Sequence, residues 1–395
     1  MSTVNKCTKK DTCTSTDDKG ESITGSGSVS REAILRFLEE HSRGLPVDVE
    51  QLKVLVEHIT KSIRKFKDKE DIDVLLGLKD LCGESNLPIY AAIMNRNIAM
   101  HHFYRNDIDT AVELLYKTIT FLEKYEEVNL IFSCYSDLGL IYFCDGECTK
   151  SKESLSKAQG LLPHTSDVDN FVMHLYNYRW GSLYSHMLEL ELARQFFNNA
   201  EKYAVNCTQQ GNAVMNIGLT YKREGNYERA LEYYTKALNI YEESDYIDRS
   251  VIYNNTAEIY KILGQYDKAL EYINKAFEHI DEKNMDFYFV YFETYTEIRI
   301  FMREPEVIID KFFNLLSNIK DHVVYRKNII QQINNIAMAS CENMDMLERL
   351  EKAVIKLIKD TAKGKYEYKL ELNKCLKKIE CYKSEMSNYK GRYPL

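Results

Sequence analysis

"MNIGLTYKREGNYERALEYYTKAL", Met215–Leu238, is the stretch on which the reading of the fold turns. Number it so that Gly218 is position 8. Tyr221 is then position 11, Gly225 is 15, Tyr227 is 17, Ala230 is 20, Tyr234 is 24 and Ala237 is 27. Small residues at 8, 20 and 27 let two antiparallel helices approach closely. Aromatics at 11 and 24 fill the space between them. Glycine at 15 suits a tight turn that needs a positive φ. The next stretch, "YNNTAEIYKILGQYDKALEYINKA", Tyr253–Ala276, repeats the code with Ala257, Tyr260, Gly264, Tyr266, Ala269 and Ala276.

This spacing resembles the tetratricopeptide repeat, whose unit is a helix–turn–helix. Weaker copies precede the pair. "HLYNYRWGSLYSHMLELELARQFFNNAEKYA" supplies Gly181, Tyr184, Ala193, Phe197 and Ala200. "SCYSDLGLIYFCDGECTKSKESLSKAQ" supplies Gly139, Tyr142, Gly146, Leu155 and Ala158. "MNRNIAMHHFYRNDIDTAVELLYKTI" supplies Ala99, Ala111 and Leu115. The implied unit starts are 92, 132, 174, 211 and 250, spaced 40, 42, 37 and 39 residues apart. Two degenerate units begin near 290 and 330, where helical periodicity persists without the signature residues. The expected fold is all-α: an α-solenoid, a right-handed superhelix of about seven such helix pairs.

The expected organisation has four parts. Residues 1–29, rich in Ser, Thr, Asp, Lys and Gly, read as a disordered tail. Residues 30–91 form an N-terminal helical region, with Ser30 placed to cap "REAILRFLEEH" and two amphipathic helices over 47–66 and 68–83. Residues 92–363 are the repeat array. Residues 364–395 form a long amphipathic helix that shields the last repeat, as solenoids need.

Composition excludes several classes. The chain of 395 residues is 45% hydrophobic and 28% charged, with formal net charge −8. No apolar run reaches 18 residues, so no membrane span is expected, and the N-terminus lacks the apolar core of a secretory signal. A cytoplasmic location follows as an expectation. The acidic balance argues against nucleic acid as a ligand. The basic stretch "HITKSIRKFKDK" reads as one face of an amphipathic helix. There is no phosphate-binding loop, no dinucleotide fingerprint, no His-Glu-x-x-His and no Gly-x-Ser-x-Gly. Ten cysteines are scattered without a Cys-x-x-Cys pair, and His101-His102 is the one adjacent histidine pair. No catalytic residue, metal or cofactor is therefore expected, and the chain reads as a binder.

The first helix of each unit is expected to line an inner groove, where equivalent positions stack. Position 6 lies away from the packing positions. It holds Asn97, Asp137, Arg179, Asn216 and Asn255, then Tyr295 and Asn335 in the degenerate units. None is aliphatic. An asparagine amide offers both donors and an acceptor, so such a column suits the backbone of an extended peptide. The plainer alternative is an ordinary solvent-facing position, polar for that reason alone. Arg179, Lys222 and Arg223 add positive charge that suits an acidic side chain or a carboxylate.

The two-carboxylate clamp of co-chaperones of the Hsp90-binding type finds no matching triplet, because Met215, Leu219 and Met100 occupy its positions. Units near 40 residues and asparagine on the groove helices look like bacterial peptide-pheromone receptors of the Rap, NprR and PlcR type. That resemblance covers roughly residues 92–360. It implies a short peptide held in the groove, with Asn216 and Asn255 as gripping positions. DNA-binding members carry an N-terminal helix-turn-helix that residues 30–83 do not match, so the resemblance implies a receptor acting on a protein partner. A general scaffold for a folded protein, a DNA-binding regulator and a homodimeric assembly are the open alternatives.

Overall fold

Six residues in the left-handed region set the register of the fold. Asn106, Gly146, Leu188, Gly225, Gly264 and Arg303 have φ values of 63°, 82°, 62°, 83°, 72° and 61°. Each ends the first helix of a pair, and the next residue donates its N–H to the carbonyl five residues back. Examples are Asn226 to Tyr221 at 2.9 Å, Glu189 to Tyr184 at 2.9 Å and Glu304 to Arg299 at 2.9 Å. This is the Schellman termination of a helix, and it satisfies carbonyls that would otherwise lack partners. All six occupy position 15. They reproduce the starts at 92, 132, 174, 211 and 250, and they set the sixth at 289.

The computed structural model describes residues 31–392 apart from 67, 243–248, 281–284, 305, 319–324 and 362–364. The expected tail over 1–29 and the Ser30 cap lie outside the described residues. The described residues are α-helical with two short 3-10 turns, which makes the fold class all-α. They divide into two units at Asp167/Val168.

The first unit holds α1 (Arg31–Ser42), α2 (Val49–Ser62), α3 (Asp71–Glu84), α4 (Pro88–Tyr104), α5 (Ile108–Glu123), α6 (Val128–Cys144) and α7 (Cys148–Leu161). Leu52, Leu55, Val56, Leu75, Leu78, Met94 and Ile98 form one core. Ala99, Ala111, Leu115, Leu138 and Ile141 form another across α4, α5 and α6. His101 is buried and bonds through Nδ1 to the Phe66 carbonyl at 2.9 Å, and His102 pairs with Asp107 at 2.9 Å. Both histidines of the adjacent pair thus serve packing and helix ends.

The second unit holds α8 (Asn170–His186), α9 (Leu190–Lys202), α10 (Cys207–Glu224), α11 (Tyr227–Glu242), α12 (Ser250–Ile262), α13 (Tyr266–His279), α14 (Met285–Phe301), α15 (Glu306–Asn318), α16 (Arg326–Ala339), α17 (Met344–Asp360) and α18 (Tyr366–Arg392). Tyr368, Leu372, Cys375 and Ile379 of α18 join the core built by α12 to α17.

One contact repeats through both units. The position-8 residue faces the position-24 residue of its partner helix. A Cβ added to Gly139 would lie 2.6 Å from the Leu155 side chain, at Gly181 2.7 Å from Phe197, and at Gly218 2.7 Å from Tyr234. Elsewhere an alanine stands at position 8 with an aliphatic residue at 24, Ala99 and Leu115 in one core and Ala257 and Ile273 in another, all buried. The paired sizes keep the helices close at native packing density.

Candidate functional site

The first helices of the second unit each leave one stripe short of full burial. On α10 it runs through Asn212, Met215, Asn216, Leu219 and Lys222; on α12 through Val251, Asn255 and Glu258; on α8 through Leu175, Tyr178 and Ser182. The opposite flanks are sealed: Ala213, Val214, Ile217, Gly218 and Thr220 of α10 are buried. Each stripe therefore alternates apolar and polar groups, as helical periodicity dictates.

Position 6 performs a task that the sequence did not reveal. Its side chains join the first helices of consecutive pairs. Asn216 Nδ2 donates to Tyr178 Oη on α8 at 2.8 Å and to the Asn212 carbonyl at 2.9 Å. Asn255 Oδ1 accepts from Lys222 Nζ on α10 at 2.9 Å. Lys222 also pairs with Glu258, and Asn254 Nδ2 donates to Glu258 Oε1 at 3.0 Å. The Lys222–Glu258 pair recurs one unit later as Lys261–Glu297, from position 12 to position 9 of the next unit. Asn254 Oδ1 in this network and the Tyr234 hydroxyl on α11 are both buried without a partner among the described residues. Burial pushes the Tyr234 phenol well above the ordinary tyrosine range, so it stays protonated.

In the first unit the same position is interior, which corrects the expectation of an open column. Asn97 is 1% exposed and donates to Thr60 Oγ1 on α2 at 2.9 Å. Asp137 is 1% exposed and accepts from Arg96 Nε on α4 at 2.6 Å. The physical reason is common to both: each first helix has a preceding helix beside it, α2 for α4 and α4 for α6, and a short polar side chain facing that neighbour is bonded and covered. The Asp137 carboxylate holds the Arg96 guanidinium charged despite its burial.

Four further positions differ from the expected groove. Arg179 is buried on α8, with 8% exposure. Arg223 is exposed, but its Nη1 donates to the Ser185 carbonyl at 2.6 Å and the Ser185 hydroxyl at 2.8 Å. It caps the end of α8, where a cation complements the helix dipole. With the sixth unit starting at 289, position 6 is Thr294, not Tyr295, and both are buried. Asn335 is half-buried on α16, separated in the helix order from the α10–α12 stripe by α14.

The structure therefore places Asn216 and Asn255 on α10 and α12, two first helices joined by the Lys222–Asn255 bond, and each has one amide edge committed. The bonds fix which edge. Asn216 spends its N–H donors, which leaves Oδ1 as an acceptor. Asn255 spends Oδ1, which leaves Nδ2 as a donor. Sequence reasoning missed Tyr178, Lys222 and Glu258 as the groups that set these orientations. The signal available was lysine at position 12 followed by glutamate at position 9 of the next unit, repeated as Lys261 and Glu297; nothing in the sequence marks Tyr178. Among the described residues no cluster of three or more His, Cys, Asp or Glu is arranged to hold a metal ion. No described helix is long and apolar enough to cross a membrane.

The helix-pair code, the left-handed turns and the alternating first-helix stripes define an α-solenoid of tetratricopeptide type. Residues 209–282 match the tetratricopeptide repeat family model. The structure is similar to the apo form of RapI, at 17% identity and TM-score 0.55, over 85% of this chain and 98% of that one. It is also similar to a signal transduction ATPase with a tetratricopeptide repeat sensor from Pyrococcus horikoshii, at 16% identity and TM-score 0.54, over 92% of this chain and 51% of that one. A third likeness is to aspartyl phosphate phosphatase F from Bacillus subtilis, at 14% identity and TM-score 0.50, over 85% and 95%. At such identities the likeness establishes the fold. No curated protein matches the chain by sequence.

Proposed function

We propose that the chain is a non-catalytic binding module, an intracellular regulatory receptor that holds an extended peptide along α8, α10 and α12. The observation that carries this reading is the pair of uncommitted amide edges. Asn216 Oδ1 accepts a peptide N–H, and Asn255 Nδ2 donates to a peptide carbonyl, so the two together match the two sides of a peptide backbone. Met215, Leu219 and Val251, half-buried beside them, take apolar side chains of the ligand. The internal bonds of both asparagines hold the amides in place before the ligand arrives, which lowers the entropy cost of binding. Lys222 is matched by Glu258, so the pocket is close to neutral and favours an uncharged or weakly charged segment. The fold shared with RapI and aspartyl phosphate phosphatase F is in keeping with a cytoplasmic, quorum-sensing receptor that responds to a short peptide.

The test is native mass spectrometry of the full chain purified from its own host, followed by selection from a random ten-residue peptide library. The reading expects a bound or selected short peptide that protects α10 and α12 from hydrogen exchange. Capture of a folded protein with no protection of α10 and α12, or no ligand from either source, overturns it.

A further inference from the structure

A groove of about 480 Å³ runs between α15 and α17, the second helices of consecutive pairs. Its floor is apolar: Ile309, Phe313 and Leu316 come from α15, Ala353 and Leu357 from α17. Phe313 and Ala353 are only half-buried, so the floor is open to a partner. The wall supplied by α17 extends from Arg349 to Asp360, a rise of about 16 Å or three turns. Arg349 pairs with Asp310 of α15 at 2.6 Å at one end, and Asp360 stands at the other. Between these ends are Lys352 and Lys356, one turn apart and both exposed. Neither has an ion-pair partner among the described residues. The surrounding sequence has the same sign. Residues 349–392 hold thirteen Lys and Arg against six Asp and Glu, in a chain whose net charge is −8.

Two features decide what fits. The backbone groups along both walls are spent within the helices, and the lining side chains include no Asn, Gln, Ser or Thr. An extended peptide finds nothing there to bond its backbone, whereas a helix satisfies its own. A helix that lays residues i, i+3, i+4 and i+7 on the floor spans about 10 Å, which the three turns accommodate. The two free lysines on one lip match carboxylates spaced one turn apart on the flank of such a helix. We propose that this groove docks an acidic amphipathic helix of a partner protein, with its apolar face on Phe313 and Leu357 and its carboxylates against Lys352 and Lys356. The site lies on second helices, whereas the peptide stripe lies on the first helices α8, α10 and α12.

The experiment offers the full chain three pools of helical peptides of about 16 residues, all randomised among Leu, Ile, Met and Phe at i, i+3, i+4 and i+7. The flanks carry Glu in one pool, Ser in the second and Lys in the third. At physiological ionic strength the Glu pool should be retained about tenfold better than the Lys pool, and its selected peptide should slow hydrogen exchange in α15 and α17. Lys352→Glu with Lys356→Glu should weaken that peptide by about tenfold or more, with the thermal midpoint unchanged because both side chains are exposed. Retention of the Ser or Lys pool as strong as that of the Glu pool, or retention of none, overturns the proposal. So does slowing in α15 and α17 on raising the chain concentration alone, which makes a second copy the occupant. Slowing confined to α10 and α12 overturns it as well and leaves the peptide reading standing.

Discussion

Replacing Gly218 by alanine puts a methyl group where the helix pair has no room. Its Cβ would sit 2.7 Å from both Cδ1 and Cε1 of Tyr234 and 3.2 Å from the Ala230 carbonyl oxygen. Ordinary contact needs about 3.4–4 Å, and Tyr234 is 1% exposed, so the ring has no way out. Overpacking of this kind costs about 1–3 kcal/mol. Alanine returns about 0.8–1 kcal/mol of helix propensity. The net is a loss of about 1 kcal/mol, within a range of about 0–2. Gly160→Ala on α7 is the control, because a Cβ there meets nothing within 4 Å. It should be neutral or stabilising by up to about 1 kcal/mol. Adding Tyr234→Ile to Gly218→Ala recreates the Ala257–Ile273 pairing of the next unit. The double variant should therefore lose less than the sum of the singles, with a coupling of about 0.5–3 kcal/mol. Repeat arrays open in parts, so urea midpoints should be read together with hydrogen exchange in α10 and α11. If Gly218→Ala proved as stable as Gly160→Ala, the size pairing between positions 8 and 24 would not be what sets the helix spacing.

Three further outcomes are expected. Asp137→Ala leaves the Arg96 guanidinium buried without its partner and should cost about 3–5 kcal/mol, while Arg96→Met with Asp137→Leu should recover most of it in denaturant titration. Leu188 is 70% exposed and left-handed, so Leu188→Gly should stabilise the protein by about 1–2 kcal/mol, and a loss would show that the leucine side chain is held by something else. Lys311 is depressed below its unfolded value, so the unfolded chain holds the extra proton between about pH 8 and 10.5, and stability attributable to this group rises across that window. The stability gap between Lys311→Met and wild type should shrink from pH 8 to pH 10.5, and a constant gap would remove burial as the cause.

Most of the fold was legible because its rules are local. Small residues at 8, 20 and 27 and aromatics at 11 and 24 recur within one helix pair, and Gly146, Gly225 and Gly264 mark turns that demand a positive φ. The turns at Leu188 and Arg303 were harder, since neither residue favours that conformation and only the spacing gives them away. Position 6 was read correctly as polar, but its surroundings were not readable within a unit. Whether Asn97 or Asp137 is open depends on Thr60 and Arg96, which lie 37 and 41 residues away. A polar residue facing water and one bonded to the neighbouring helix look the same in one repeat. They differ only when two units are laid side by side, as the Lys222–Glu258 and Lys261–Glu297 pairs are.

The central claim is that the free edge of Asn255 grips a peptide carbonyl. Asn255→Asp keeps an oxygen that accepts from Lys222, removes the donor and adds a negative charge beside the Lys222–Glu258 pair. Isothermal titration of the library-selected peptide should show binding weaker by roughly tenfold, about 1.4 kcal/mol, with an unchanged thermal midpoint. Unchanged affinity for Asn255→Asp would contradict the account.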